Sequence, residues 1–336
     1  MIEAWGQTPE GESIYRYQLR NGMGMTATIL NFGAIVAELH VPVSRNTVNV
    51  VLGYSSAADY VKDTHFIGVV AGRYCNRIAD ACFILNDERF DLVANEGANQ
   101  LHGGYGFSKR LWRCIEHSES KLVLELISKN GDQGYPGTLT AWVTYTLTEE
   151  NELLFAWSAR STKDTVVSLT NHTYFNLSGA ATIGDHSLQV ALTHYTPIDE
   201  AGIPTGDITP VANTVFDLTS KPLLADCLTH ESLKHTMGFD HNWCISAGSR
   251  THDQAQLVAV LSDSVLNLNV YTTLPGLQCY TGNHLDGSEH FRRHQAICLE
   301  SQYYPNAPNV PLFPSPILRA GDTMQHLTRF EFSQSS

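Results

Sequence analysis

Apolar and polar residues alternate with a period of two along most of this chain, the repeat of a strand with one buried face. Such runs, rich in β-branched and aromatic residues, predict strands at 15–19, 25–30, 34–41, 48–54, 111–117, 121–128, 138–148, 152–162, 165–170, 187–192, 256–262 and 265–273. Turn residues punctuate them: Asn86-Asp87 separates 82–85 from 89–92, and 149–151 joins two long alternating runs, both in the manner of hairpins. The run 326–332 alternates cleanly and is expected to close the sheet. Helical periodicity is weak, with short helices expected near 56–61 and 229–234. No Pro/Ser-rich linker, repeat or low-complexity tract divides the chain. The pattern predicts one all-β domain over 1–336, a large antiparallel β-sandwich of two sheets packed face to face.

Composition supports a large core, with 43% of the 336 residues hydrophobic. Length alone would suggest two domains, but all-β units often run past ~200 residues. The net charge is −13, from 21 Lys and Arg against 34 Asp and Glu, and no basic run interrupts it. That balance argues against nucleic acid or an anionic membrane as a partner. The seven cysteines are scattered, with no C-x-x-C, and most lie in apolar runs, so they read as free thiols in a reducing compartment. The N-terminal segment has no basic start and no apolar core, so no signal peptide is expected. No apolar run reaches the ~18 residues of a membrane-spanning helix, and a cytoplasmic location is the expectation.

Fifteen histidines raise the question of a metal. His230-Glu231 begins like H-E-x-x-H, but the next histidine is His235, one residue too late to share a helix face. His290 and His294 have the right spacing, yet the residues between them read as a polar loop. No metal site is expected.

Six segments place reactive side chains in strand-like or Gly-rich surroundings: 72–78 (GRYCNRI), 99–104 (NQLHGG), 131–137 (GDQGYPG), 170–177 (TNHTYFNL), 239–243 (FDHNW) and 299–309 (LESQYYPNAPN). Alternation puts Ala296, Cys298, Glu300 and Gln302 on one face. Glu300 is then a carboxylate among small residues, either part of a satisfied structural network or a base beneath a ligand. His172, Tyr174 and Asn176 share a face suited to stacking a sugar ring and reading its hydroxyls, and His172 can exchange protons near neutral pH; a core histidine is the alternative. The glycines after His102 can press that side chain toward a pocket. Arg73 falls on one alternation face with Cys75 and Arg77, with a surface ion pair as its other reading. Asp240 reads as a turn cap or as a carboxylate accepting sugar hydroxyls, and 131–137 as a turn.

Taken in order, and together with Leu19-Arg-Asn-Gly, Asn31-Phe-Gly-Ala, 280–283 (YTGN) and 313–315 (FPS), these segments resemble the galactose mutarotase (aldose 1-epimerase) family over essentially the whole chain. The resemblance implies a cofactor-free enzyme on a β-sandwich of the galactose mutarotase type, interconverting the α and β anomers of free hexoses such as galactose and glucose. It implies that Glu300, in the L-E-[ST]-Q motif, is the general base and that His172, in N-H-x-Y-F-N, is the general acid. His102, Arg73 and Asp240 would bind sugar hydroxyls. The implied partner is a free aldohexose, and the assembly a monomer or homodimer. Two positions depart from the family pattern: Cys75, where a small residue is common, and Cys279, where an aromatic residue is often found. The second touches the apolar contact to the sugar.

Three other readings compete. A hexose-6-phosphate 1-epimerase would need clustered cations; a glycoside hydrolase would use Asp240 and Glu300 as paired carboxylates; a sugar-binding module would have no catalysis. Anomer exchange needs Glu300 ionised and His172 protonated together; burial opposes both states and each group's charge favours the other's.

Overall fold

The computed structural model describes residues 1–245, 254–286 and 290–335. The predicted alternation is realised most fully in an eight-stranded antiparallel sheet. Its order is Arg113–His117, Lys121–Ser128, Leu139–Leu147, Glu152–Ser161, Thr323–Gln334, Leu266–Thr272, Gln256–Ser262 and Ser187–Val190. Along Leu139–Leu147 every second residue is buried, from Leu139 through Ala141, Val143 and Tyr145 to Leu147, while the threonines and Trp142 between them stay partly exposed.

The C-terminal strand does not close this sheet as the sequence suggested. It lies in the middle, pairing with Glu152–Ser161 on one side and Leu266–Thr272 on the other. Its apolar positions alternate cleanly because a central strand still has one face on the core. The hairpin at Asn86-Asp87 forms as expected, and both residues take the left-handed backbone that such turns require. The short helices appear at Ala57–Lys62, Leu224–Leu228 and Glu231–Leu233.

A second sheet has six strands, ordered Tyr174–Phe175, Ile297–Gln302, Gly276–Tyr280, Asp240–Cys244, His194–Thr196 and Thr209–Pro210. One of its faces supplies Phe175, Trp243, Leu277, Ile297 and Leu299 to the main hydrophobic core, shared with Phe155, Phe330 and Phe332 of the eight-stranded sheet. Phe175 and Phe330 meet with ring centroids 5.2 Å apart. A five-stranded sheet from Ile2–Gln7 to Asn46–Asn49 completes the β architecture beside them.

The strand expected at 48–54 ends at Asn49. Beyond it Val50 donates to Leu39 O, Val51 bridges Phe175 and Leu52 donates to Tyr174 O. The run is apolar because it crosses from one sheet to another, with Val50 and Val51 buried in the passage, and not because it continues one ladder.

The six-stranded sheet is buried on both sides along its middle: all six residues of Ile297–Gln302 are buried. With one face on the core, the other is left to carry Tyr174, Asp240, Gln278 and Glu300, and this polar face is the floor of a pocket.

Candidate active site

Alternation on Ile297–Gln302 sends Leu299 into the core and Glu300 the other way, as the sequence predicts. Glu300 is 2% exposed, and its Oε2 has no hydrogen-bond partner among the described residues. Its Oε1 lies 3.7 Å from Nε2 of His172, which is itself buried. His172 leaves Thr170–Asn171 just before Tyr174–Phe175, the strand that pairs with Ile297–Gln302 through Tyr174 and Cys298. Tyr174 stacks near His172 at 5.1 Å between ring centroids. Asn176, expected on the same face, instead donates to the carbonyls of Ala180 and Gln295 and holds a loop.

His102 reaches the same point from the loop after Gln100–Leu101. Its backbone is left-handed, φ 52°, and Gly103 and Gly104 follow with φ 75° and 68°. A Cβ on Gly103 would stand 2.1 Å from the Gly72 carbonyl oxygen, so only glycine permits this packing against the 72–78 segment. Asn76 N–H donates to Nδ1 of His102 at 3.2 Å, while His102 N–H donates to Asn76 O. In the neutral ring the proton is therefore on Nε2. The His102 and His172 rings meet edge to face at 5.1 Å.

Of the two arginines in 72–78, Arg77 lines the pocket and Arg73, expected to bind a sugar hydroxyl, does not. Arg73 is 1% exposed, makes no ion pair among the described residues, and does not line the pocket. Its Nη1 donates to the carbonyls of Pro136 and Gly137, and its Nη2 to Ser128 O and Oγ, so it staples the 131–137 turn to the neighbouring strand. Burial pulls its pKa down to about 10. Arg77 lines the pocket in its place. The alternation that grouped Arg73 with Arg77 fails because Asn76 has φ 61° and only Arg77–Ile78 is strand.

Arg77 grips Glu96 through both ends of its guanidinium, at 2.7 and 2.8 Å, and its Nη1 lies 3.6 Å from Oδ2 of Asp240. Burial works against its charge, but the Asp240 and Glu96 carboxylates outweigh it and hold the proton more firmly than usual. Asp240 begins Asp240–Cys244 and accepts a hydrogen bond from Gln278 Nε2 at 2.6 Å.

Glu300, His172, His102, Asp240 and Arg77 thus line one cavity of about 140 Å³. Phe66, Tyr174 and Tyr280 give it apolar walls, Phe66 lying 4.6 Å from the His102 ring. Phe66 was not legible in the sequence, since it sits on an irregular loop with φ 58°. Tyr280 stood next to the atypical Cys279, which faces the core and leaves the pocket wall untouched.

Burial sets the electrostatics. It raises Glu300 well above the ordinary carboxyl range, with the Asp240 charge acting in the same direction and Arg77 against it. It lowers His172 to about 4, and lowers His102 well below the ordinary imidazole range with help from His172 and Arg77. Nitrogen and oxygen atoms of His102, His172 and Glu300 lie within 4.8 Å of one another, a grouping that metals can use and that no spacing along the chain revealed. The fit to a metal is poor, because Asn76 N–H occupies the lone pair of Nδ1 and His102 presents a proton, not a lone pair, to the pocket. The arrangement suits hydroxyl recognition and proton exchange: one acid/base pair, one fixed N–H donor, and an Arg–Asp pair.

Known proteins resemble this chain over nearly its whole length. The family model described as aldose 1-epimerase matches residues 15–331. A human protein named galactose mutarotase is 38% identical, covering 98% of this chain and 97% of its own length. An Escherichia coli protein named aldose 1-epimerase is 36% identical over 96% of each chain. Among solved structures, a Caenorhabditis elegans aldose epimerase homologue superposes with a TM-score of 0.88 at 28% identity, covering 96% of this chain and 99% of that one. A galactose 1-epimerase from Lactobacillus acidophilus gives 0.87 at 26%, covering 100% and 99%. Fold, polar pocket and full-length similarity together make this chain a member of the aldose 1-epimerase family.

Proposed function

We propose that this chain is an aldose 1-epimerase that interconverts the α and β anomers of a free aldohexose, with Glu300 and His172 as its acid/base pair. The observation that carries the assignment is the buried contact of 3.7 Å between them at the floor of a pocket otherwise lined by hydroxyl-binding groups. Glu300 takes the proton of the anomeric hydroxyl while His172 gives one to the ring oxygen. The C1–O5 bond opens to the aldehyde, C1 turns about the C1–C2 bond, and reclosure with both protons reversed delivers the other anomer. Each positioned proton-transfer group contributes typically 10²–10⁴-fold, so roughly 10⁴ or more is available from the pair. His102 Nε2–H, Asp240 and Arg77 orient the hydroxyls, which converts loose encounters into reactive geometry.

The phosphorylated alternative is disfavoured by the same electrostatics. Among the described residues lining the pocket Arg77 is the sole Lys or Arg, and it is already committed to Glu96 and Asp240. Among the described residues a phosphate would meet carboxylates without a free cation to offset them. Polarimetry on freshly dissolved α-D-galactose, α-D-glucose and glucose 6-phosphate tests the assignment. Rapid rotation change with the free sugars and little with the phosphate is expected; binding without any rate effect would leave only a sugar-binding module, and release of reducing sugar from a glycoside would point to a hydrolase.

We also infer that 1–336 acts as one domain. The last strand lies inside the largest sheet, and one core takes residues from Tyr17 through to Phe332. All seven cysteines are unpaired, which fits a reducing, cytoplasmic setting. No helix among the described residues is long and apolar enough to cross a membrane.

A further inference from the structure

Beneath the pocket runs a chain of buried amides whose direction is dictated from one end. Asp240 accepts from Gln278 Nε2 at 2.6 Å, and a carboxylate can only accept. Gln278 must therefore turn its Oε1 the other way, where Gln302 Nε2 donates to it at 3.4 Å. Gln302 in turn presents Oε1 to the Cys75 thiol at 3.6 Å, and Cys75 Sγ lies 3.1 Å from Ser168 Oγ. Gln278 and Gln302 are both at most 3% exposed.

Glu300 is enclosed by these amides. It pairs in register with Gln278 and stands two residues from Gln302 on the same face. Yet its Oε2 has no partner among the described residues, and the hydrogen bonds that the two amides donate run to Asp240 and to Gln278 Oε1. A hydrogen bond to the carboxylate would stabilise its charged form and weaken it as a base.

We infer that Gln302 is a positioning residue: by holding Gln278 Oε1 it keeps the Gln278 amide turned toward Asp240, and the Glu300 carboxylate is left without a hydrogen-bond donor. The inference rests on Glu300 being the base proposed above. The charged and titratable groups around Glu300 are His172 and Tyr174 beside its strand, His102 above it, Arg77 and Cys75 from 72–78, Asp240, and Cys279 and Tyr280 on the paired strand, with Cys298 on its own. The thiols and phenols among them are raised by burial and stay protonated, so they do not alter the sign.

Gln302→Met removes the donor that holds Gln278 Oε1, freeing Gln278 to offer its amide to Glu300. With both groups biased toward their neutral forms the upper apparent pKa reports loss of the carboxyl proton, so the alkaline limb of the kcat/KM–pH profile is then expected about 0.5–1 pH unit lower, with kcat several-fold reduced and KM raised as Asp240 loses its anchor. Cys75→Ala, which takes away the donor to Gln302 Oε1 together with the contact to Ser168 Oγ, should move the limb the same way by less, and Cys75→Ser should keep the parental profile. An alkaline limb that stays in place or moves up in folded Gln302→Met overturns the inference. If that variant does not fold, identical limbs in Cys75→Ala and Cys75→Ser overturn it instead. Glu300→Gln separates the two levels: full activity there removes the base itself, whereas loss of activity with an unmoved Gln302→Met limb removes only the positioning role.

Discussion

Nε2 of His172 and Oε1 of Glu300 face each other at 3.7 Å in a setting that pushes both groups toward their neutral forms. A carboxylic acid beside a neutral imidazole holds the same number of protons as a carboxylate beside an imidazolium. The pair is therefore a reservoir of one proton that can sit on either partner, and in the proposed mechanism a sugar donating from O1 and accepting at O5 favours the charge-separated arrangement. Apparent pKa values belong to the pair and not to either residue.

Replacing Glu300 with Gln keeps its volume and removes the base. The expected result is a fall in kcat of at least ~100-fold, measured by polarimetry on α-D-galactose, with the fold checked by circular dichroism. Near-parental kcat in a folded variant would rule out the role.

The pH dependence of kcat/KM is expected to be bell-shaped. Below the lower apparent pKa the pair carries a second proton and has no base; above the upper one it has lost its only proton and has no acid. His172→Asn should collapse kcat and remove the alkaline limb from the residual activity. Persistence of that limb would transfer the acid role to another group, His102 first.

Arg77 and Arg73 should separate cleanly. Arg77→Ala is expected to raise KM strongly with a smaller effect on stability, because it loses contact with the pocket. Arg73→Ala should lower the unfolding free energy by several kcal/mol, at ~1–3 for each buried acceptor left without a donor, while the folded fraction keeps a near-parental KM. Comparing thermal or urea unfolding with KM for both variants decides the assignment; a KM effect confined to Arg73→Ala would reverse it.

Exhaustive chelation is expected to leave kcat/KM unchanged, since His102 offers a proton to the pocket through the tautomer that Asn76 fixes. Activity lost with EDTA and recovered with a divalent ion would contradict proton-only chemistry.

Much of this protein follows from local pattern alone. Alternation along 139–147 and 152–161 specifies strands and their buried faces, because a period of two admits no other regular structure with one face inside. The same parity sends Glu300 away from the core, and the ordered motifs around Glu300, His172, His102 and Asp240 mark residues that the folded chain brings to one pocket. Parity, however, holds only while the backbone stays extended. At 72–78 a left-handed Asn76 breaks it, so the folded chain alone separates the structural Arg73 from the pocket arginine, Arg77. Strand order is likewise non-local: the C-terminal run is clean in sequence, but only the competition among faces for the core places it between 152–161 and 266–272. Phe66 and the Gln302–Gln278–Asp240 chain belong to the same class, since a loop wall and a directed hydrogen-bond chain exist only once distant segments are packed together.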